Sequence, residues 1–403
     1  MNNTTNRDIY SSSPTPTDRD LLSSSGVDVS SHSTHGGFDV TPPPPEPQPP
    51  KKAAKKKSPV KRAVIAVLLL LVFGVSGLAA WFALPIVSSL SEYEAVKLDT
   101  DDLGFEKALG AGVTNIALFG CDTRSGTDIG GRSDSIMILS INTKTKKIHI
   151  FSVMRDTLVR IDGYGGQKIN TAYRYGGGQL AVKTLNQSFG LDIEDYVSIN
   201  FVGMAKVIDA LGGIEATLSE AEVKDANKHM IDQAEAESKA TGTEVKPDYI
   251  EKAGKQTLSG MQAVAFARIR DVKSSDGKRG DYGRTDRQRY VLGQLYGKLK
   301  EVSVSEYNDY IDLMLPYIES SLSTVDILKL GYCLAFMDFE TVQLRAPQTD
   351  WVISSGYSVK GAGSTVYYDL EYAGEAMRAM IYDDLTYEEF KEANPVRKNE
   401  WYK

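Results

Sequence analysis

Residues 113–156 read VTNIALFGCDTRSGTDIGGRSDSIMILSINTKTKKIHIFSVMRD, and three apolar runs inside this stretch decide the fold class. Residues 113–119 (VTNIALF), 136–141 (IMILSI) and 148–153 (IHIFSV) are short and rich in Ile, Val and Phe, which suits strands. The second and third flank a polar turn, Asn142, Thr143, Lys144, Thr145, Lys146 and Lys147, and so read as a hairpin. Residues 179–189 and 201–211 carry apolar residues at helical spacing, and the second run stops at Gly212 and Gly213. Residues 307–339 also read as helical, and 341–346 (TVQLRA) as a late strand. Strands mixed with helices in this order predict an α/β sandwich around one central sheet, and no internal repeat competes with that reading.

Outward from this core the chain changes character. Residues 63–84 (AVIAVLLLLVFGVSGLAAWFAL) are 22 uncharged residues. As a helix they span about 33 Å, which matches a hydrocarbon core of about 30 Å. A cleaved signal peptide is the competing reading, but the leader of about 60 residues is too long and no small-residue cleavage site follows. Lys51, Lys52, Lys55, Lys56, Lys57, Lys61 and Arg62 crowd the amino side, whereas Glu92 and Glu94 open the other. The positive-inside rule then predicts a single-pass helix, with residues 1–62 in the cytoplasm and the remainder outside the cell. The leading segment is rich in Ser, Thr and Pro, with PPPPEPQPP at 42–50, and reads as a disordered tail. Its basic run is suited to anionic membrane lipid. Residues 85–112 read as a juxtamembrane linker, 113–385 as the exported domain, 219–255 as a polar insertion on its surface, and 386–403 as a charged terminal tail.

The net charge of −7 over 403 residues averages unlike parts. Residues 1–62 hold nine Lys/Arg and six Asp/Glu, residues 63–91 hold no charge, and the rest holds 37 and 47. An acidic exported region argues against nucleic acid as a partner. Only four histidines occur, two of them in the tail, which disfavours both a multi-histidine zinc site and a Ser-His-Asp triad. The two cysteines, Cys121 and Cys333, fit buried thiols or a disulfide equally. Gly163, Gly165 and Gly166 precede Lys168 in GYGGQK, but the phosphate-loop pattern GxxxxGK[ST] is not met.

The chemistry lies in the Asp and Arg residues at the predicted strand ends. Asp122 and Arg124 follow the first strand, Arg132 and Asp134 precede the second, and Arg155 and Asp156 close the third. Strand ends of α/β folds gather ligands, so these groups are placed to meet in one crevice, and two carboxylates there suit Mg²⁺. Arg268 and Arg270 sit two apart in FARIR, on one face of an extended segment. Asp281, Arg284, Arg287 and Gln288 occur in DYGRTDRQR, the last three at i, i+3, i+4 spacing on one helical face. Any one of these arginines reads as a surface salt bridge. Several guanidinium groups beside paired carboxylates fit a phosphate site better, because planar forks bind phosphate oxygens bidentately.

NIALFGCDTR, GRSD, the MRD triplet, KINTAY at 168–173, VIDALGGI at 207–214, FARIR and DYGRTDRQR, in this order behind one apolar helix, resemble the LytR-CpsA-Psr family of cell-envelope enzymes. The resemblance implies a three-layer α/β/α domain with a central mixed sheet. It also implies a phosphotransferase that moves a glycopolymer from a polyprenyl-pyrophosphate carrier to peptidoglycan through a phosphodiester. By the same resemblance Asp122 and Asp134 would hold Mg²⁺, and Arg132, Arg155, Arg268, Arg270, Arg284 and Gln288 would surround the pyrophosphate. Arg124, Lys168 and Arg287 are further phosphate candidates, and Asp281 would orient the arginines. An apolar tunnel for the prenyl chain would involve Ile116, Leu118, Ile138, Phe201 and Val207, although core packing also accounts for each. Two positions depart from the family pattern, Met154 in place of a proline and Cys121 in place of a small polar residue. A polyprenyl-pyrophosphate hydrolase and a non-catalytic envelope regulator are the competing functions. The complete Arg/Asp set, which a scaffold has no need to keep, argues against the second.

Overall fold

The computed structural model describes residues 90, 93–122, 130–274, 277–303, 306–348 and 350–396. In chain order the strands are β1 (Val113–Cys121), β2 (Ser133–Asn142), β3 (Lys147–Val153), β4 (Leu158–Ile161), β5 (Gly165–Lys168), β6 (Asp195–Asn200), β7 (Ile214–Leu218), β8 (Gly254–Leu258), β9 (Ile318–Ser320), β10 (Glu340–Ala346), β11 (Val352–Val359) and β12 (Gly363–Tyr368). The α-helices are α1 (Thr171–Phe189), α2 (Phe201–Ala210), α3 (Glu220–Asn227), α4 (Met230–Thr241), α5 (Gly260–Arg268), α6 (Gly280–Glu301), α7 (Tyr307–Met314), α8 (Thr324–Phe336), α9 (Leu370–Tyr382) and α10 (Tyr387–Ala393).

A central mixed sheet has the order β10-β3-β2-β1-β6-β9. The β2–β3 hairpin closes where expected: Asn142 Oδ1 accepts from the Lys144 and Thr145 N–H groups at 3.0 and 3.1 Å, while Lys146 takes a left-handed conformation. Antiparallel pairing joins β1 to β2 and β2 to β3, and parallel pairing joins β1 to β6 and β3 to β10. The carboxyl ends of β1, β3, β6 and β10 and the amino end of β2 therefore lie along one edge of the sheet.

Both faces of the sheet are covered, which is why its strands read as continuous apolar runs. On one face Phe119, Ile138 and Phe151 share a core with Val182 and Leu185 of α1 and Met377 and Met380 of α9. On the other, Met137, Ile148 and Ile150 meet Leu292 and Tyr296 of α6 and Leu330 and Leu334 of α8. A separate cluster of Ile208, Ile214, Leu258, Val264, Val291 and Leu295 sits beneath α2 and α5. Of the residues considered for a prenyl tunnel, Ile138 lies in the first core, Leu118 packs on the second, Val207 lies in the third with Phe201 packed against it, and Ile116 is buried in β1.

Four expectations are corrected. The helix read at 179–189 begins at Thr171, since non-helical Gly176 and Gly177 interrupt its apolar period. The segment 307–339 is not one helical stretch, because β9 breaks it and pairs with β6 at the sheet edge. Residues 85–112 do not form a free linker from residue 93 onward. Leu103 is buried, the Tyr93 hydroxyl donates to the Ser320 and Leu322 carbonyls at 3.0 Å, and the Val96 N–H donates to the Ser320 carbonyl at 2.8 Å. Nor is 386–403 a tail throughout, since Thr386 and Glu389 form a capping box on α10, which buries Phe390. The polar segment 219–255 includes α3 and α4, which bury Ala226, Met230 and Ala234 and also Asp225 and Glu237, each paired with a lysine.

Among the described residues no helix is long and apolar enough to cross a membrane. Residues 1–62 and the predicted anchor at 63–84 lie outside the described residues.

Candidate active site

The edge of the sheet where β1, β2 and β3 bring their ends together holds a cavity of about 550 Å³. Its wall includes Asp122, Arg132, Asp134, Arg155, Asp156 and Lys168. A β-bulge places one of these groups. Gly120 pairs with Ser135 and Cys121 with Ser133, so Asp134 is the extra residue and its side chain is re-aimed at the end of the ladder. Gly120 is required here, because a Cβ would stand 2.9 Å from the Ser135 Cβ. The Asp122 N–H donates to the Arg132 carbonyl at 3.2 Å, which fixes the two aspartates on neighbouring strand ends.

Arg155 is the hub. Its Nη1 lies 2.5 Å from Asp134 Oδ2, and its Nε is 3.8 Å from both Asp156 and Asp281. Burial opposes the charge on Arg155, yet Asp134, Asp281 and Asp156 outweigh it and hold the guanidinium above its ordinary pKa. Lys168 lies 2.8 Å from Asp156. Burial would raise the Asp156 pKa, but Lys168 and Arg155 hold it below the usual carboxylate value.

Behind this wall the start of α6 supplies Asp281 and Arg284. Asp281 receives Arg270 at 3.2 Å and Arg284 at 3.1 Å, and the Arg284 Nη2 also donates to the Asp134 carbonyl at 3.3 Å. Burial and the neighbouring Arg155 pull the Arg284 pKa down to about 10, so it stays cationic at neutral pH. Exposure grades outward, from 6% for the Arg284 side chain through 17% for Arg155 to 45% for Arg270. The result is alternating positive and negative groups held in fixed positions, rather than a bare cationic pocket.

Other predicted residues go elsewhere. Arg268 stacks over the Phe201 ring at 5.0 Å and faces Asp232 at 3.6 Å. Arg287 is corrected to a scaffold role: it is buried, pairs with Glu222 at 2.8 Å, and donates to the carbonyls of Ile269, Val272 and Lys273. Those four acceptors hold its fork inside the protein, away from the cavity wall. Gln288 is half-buried on α6 and is absent from the cavity wall, and Arg124 lies outside the described residues.

The departures from the family pattern have local explanations. The Met154 N–H donates to the Ala346 carbonyl at 3.0 Å, a bond that a proline could not make. Cys121 and Cys333 are both free; Cys121 is buried, and burial pushes its thiol up to about 12. Sequence reasoning missed Asn170, Arg174 and Tyr175 as wall residues. Their signal was position, since they continue directly from Lys168 into the first turns of α1.

Fold and site define an α/β protein with a cavity of paired carboxylates and guanidinium groups at its strand ends. The chain belongs to the LytR_cpsA_psr family, which matches residues 88–370. It is 34% identical over 240 residues to the polyisoprenyl-teichoic acid–peptidoglycan teichoic acid transferase TagU of Oceanobacillus iheyensis, covering 57% of this chain and 66% of that protein. It is 33% identical over 255 residues to Biofilm regulatory protein A of Streptococcus mutans, covering 58% and 57%. The chain thus spans about two thirds or less of the length of these relatives. Among solved structures, TagT bound to LI-WTA superposes with a TM-score of 0.52 at 24% identity, covering 71% of this chain and 99% of that one. Bacillus subtilis TagT gives 0.51 at 22% identity, covering 72% and 99%. These two establish the likeness of fold.

Proposed function

We propose that the protein transfers a glycopolymer from a polyprenyl-pyrophosphate carrier to peptidoglycan; relatives are named as polyisoprenyl-teichoic acid–peptidoglycan teichoic acid transferases. The observation that carries this reading is the convergence of Asp122, Asp134, Arg155 and Lys168 on one cavity, braced from behind by Asp281, Arg270 and Arg284. A sugar hydroxyl of the acceptor forms a bond to the glycan-bearing phosphorus, the bond from that phosphorus to the polyprenyl phosphate oxygen breaks, and the departing polyprenyl phosphate takes up the hydroxyl proton. Little covalent chemistry is asked of the protein, whose part is alignment and charge stabilisation. Arg155 and Lys168 face the pyrophosphate oxygens. Asp281 holds Arg155, Arg270 and Arg284 in register and so acts as a positioning residue.

The donor set fits Mg²⁺. Asp122 and Asp134 offer hard oxygens on neighbouring strand ends, and Mg²⁺ is commonly bound by one or two carboxylates plus phosphate oxygens and water. Among the described residues no group of three His, Cys, Asp or Glu side chains is placed to hold a metal, so substrate phosphates would complete the coordination. When bound, the ion would neutralise phosphate charge. The same reading places residues 1–62 in the cytoplasm, 63–84 across the membrane and the remaining domain, to about residue 385, in the envelope outside it.

The test is incubation of the full-length protein with a polyprenyl-pyrophosphate-linked glycan and peptidoglycan, with products identified by mass spectrometry. Phosphodiester-linked glycan on peptidoglycan is expected. Release of free glycan phosphate regardless of acceptor would replace transfer with hydrolysis. If Asp281→Asn kept the arginine geometry but abolished transfer, Asp281 would be more than a positioning residue.

A further inference from the structure

The motif GYGGQK does not hold phosphate as a loop, yet its geometry is specific. Gly163 and Gly165 have φ of 76° and 72°, in the left-handed region, with open space where a Cβ would stand. Backbone conformation, not crowding, therefore requires glycine on both sides of Tyr164. The Tyr164 N–H donates to the Ile161 carbonyl at 3.0 Å and closes the β4–β5 turn with the tyrosine at its tip. Tyr164 is 47% exposed, and its ring lies almost parallel to that of Tyr175, with centroids 4.1 Å apart and planes 9° apart. Tyr175 is itself 38% exposed and forms part of the cavity wall. Neither ring belongs to a core cluster. The chain thus spends two left-handed glycines on holding a stacked aromatic pair in water beside the charged wall of the cavity.

We propose that Tyr164 and Tyr175 form a platform for a pyranose ring of a glycan at the mouth of the cavity. This rests on the proposed function and names how its substrate is recognised. A pyranose presents C–H groups on one face and hydroxyls around its rim. An exposed aromatic face takes the former, as amphipathic aromatic side chains do at interfaces. Gln167 and Arg174, on the same wall, offer donors and an acceptor for the latter. An isoprenoid chain fits worse, because an open platform bordered by Gln and Arg would leave much of its apolar surface in water. The ring can belong to the lipid-linked donor or to the acceptor strand, and the same chemistry serves both.

The experiment uses full-length protein in detergent with three probes: bare undecaprenyl pyrophosphate, the same lipid bearing N-acetylglucosamine, and a soluble β-1,4-linked N-acetylhexosamine oligomer. Affinities are compared for the parent, Tyr164→Ala and Tyr164→Phe. The alanine variant is expected to bind one sugar-bearing probe about tenfold more weakly while bare lipid is unchanged, and the phenylalanine variant is expected to bind like the parent. Loss on the sugar-bearing lipid identifies the donor ring, and loss on the oligomer the acceptor ring. Equal loss for bare and sugar-bearing lipid, or no loss for either glycan probe, overturns the platform. If the parent fails to bind bare lipid, the transferase reading falls separately, and the oligomer arm still decides the platform.

Discussion

Two carboxylates five residues apart on helix α6 are each surrounded by guanidinium groups, and they serve different ends. Asp281 gathers Arg155, Arg270 and Arg284 beside the cavity, with Arg270 half in water. Asp286 gathers Arg289 at 2.5 Å and Arg345 at 2.8 Å, accepts from the Ser274 hydroxyl at 2.9 Å, and is sealed. Arg345 also lies over the Tyr282 ring at 4.5 Å. The side chains of Asp286 and Arg345 are only 6% and 7% exposed. In composition the clusters are nearly the same. What separates them is access: on the proposed function the open one exchanges a carboxylate contact for a phosphate contact, and the closed one holds the helix to the sheet.

That contrast breaks first if the closed cluster proves dispensable. Asp286→Ala leaves two buried guanidinium groups without their shared carboxylate and is expected to cost about 3–5 kcal/mol of unfolding free energy, read by denaturant titration. A stable but inactive variant would move Asp286 into the working site. For the open cluster, Arg270→Ala is expected to lower transfer by about 10²–10³-fold, the range for a lost charge-stabilising donor. Its unfolding free energy should change by no more than about 1 kcal/mol, because half of the side chain is already in water. A large stability loss with transfer retained would reverse the assignment.

A smaller effect tests burial without a partner. His149 sits in β3 with its Nδ1 unbonded among the described residues, and burial, reinforced by Lys147, lowers its pKa to about 4. The unfolded chain takes up this proton near pH 6.5, so the stability due to neutral His149 is complete above that pH. It is lost as pH falls from about 6.5 to 4, with a slope of up to about 1.4 kcal/mol per unit. His149→Leu should flatten that part of the stability curve; an unchanged slope would assign it to other groups. The smallest effect is chemical. Cys121, buried and held as a thiol, should resist alkylation at pH 8 in the native protein while half-buried Cys333 reacts, as mass mapping would show. Labelling of both at equal rates would mean that the strand end opens.

The sheet was readable because β1, β2 and β3 are apolar on both faces and the Asn142 turn carries its own chemistry. Strand β9 was not, since three residues between two helices have no period to detect. The early turns of α1 were hidden by Gly176 and Gly177. At the site, Asp122, Asp134 and Arg155 could be placed together because all three sit at strand ends, and strand ends share an edge. The arginines of DYGRTDRQR could not be sorted. Helical spacing puts Arg284 and Arg287 on one face, but only packing shows that Arg284 faces the cavity wall while Glu222 and three carbonyls claim Arg287. Nothing in the sequence singles out Asp286, one residue before Arg287, as the centre of a second cluster.

The fastening of residues 93–96 to Ser320 and Leu322 has a mechanical consequence. A pull on residues 93–96 from their amino-terminal side is transmitted through these hydrogen bonds and so loads the edge strand β9. Between that edge and β1 stands β6, bonded to both. The strands carrying Asp122, Asp134 and Arg155 are thus at least one strand removed from the load path, and strain entering at residues 93–96 is taken up at the margin of the sheet before it can shift these groups.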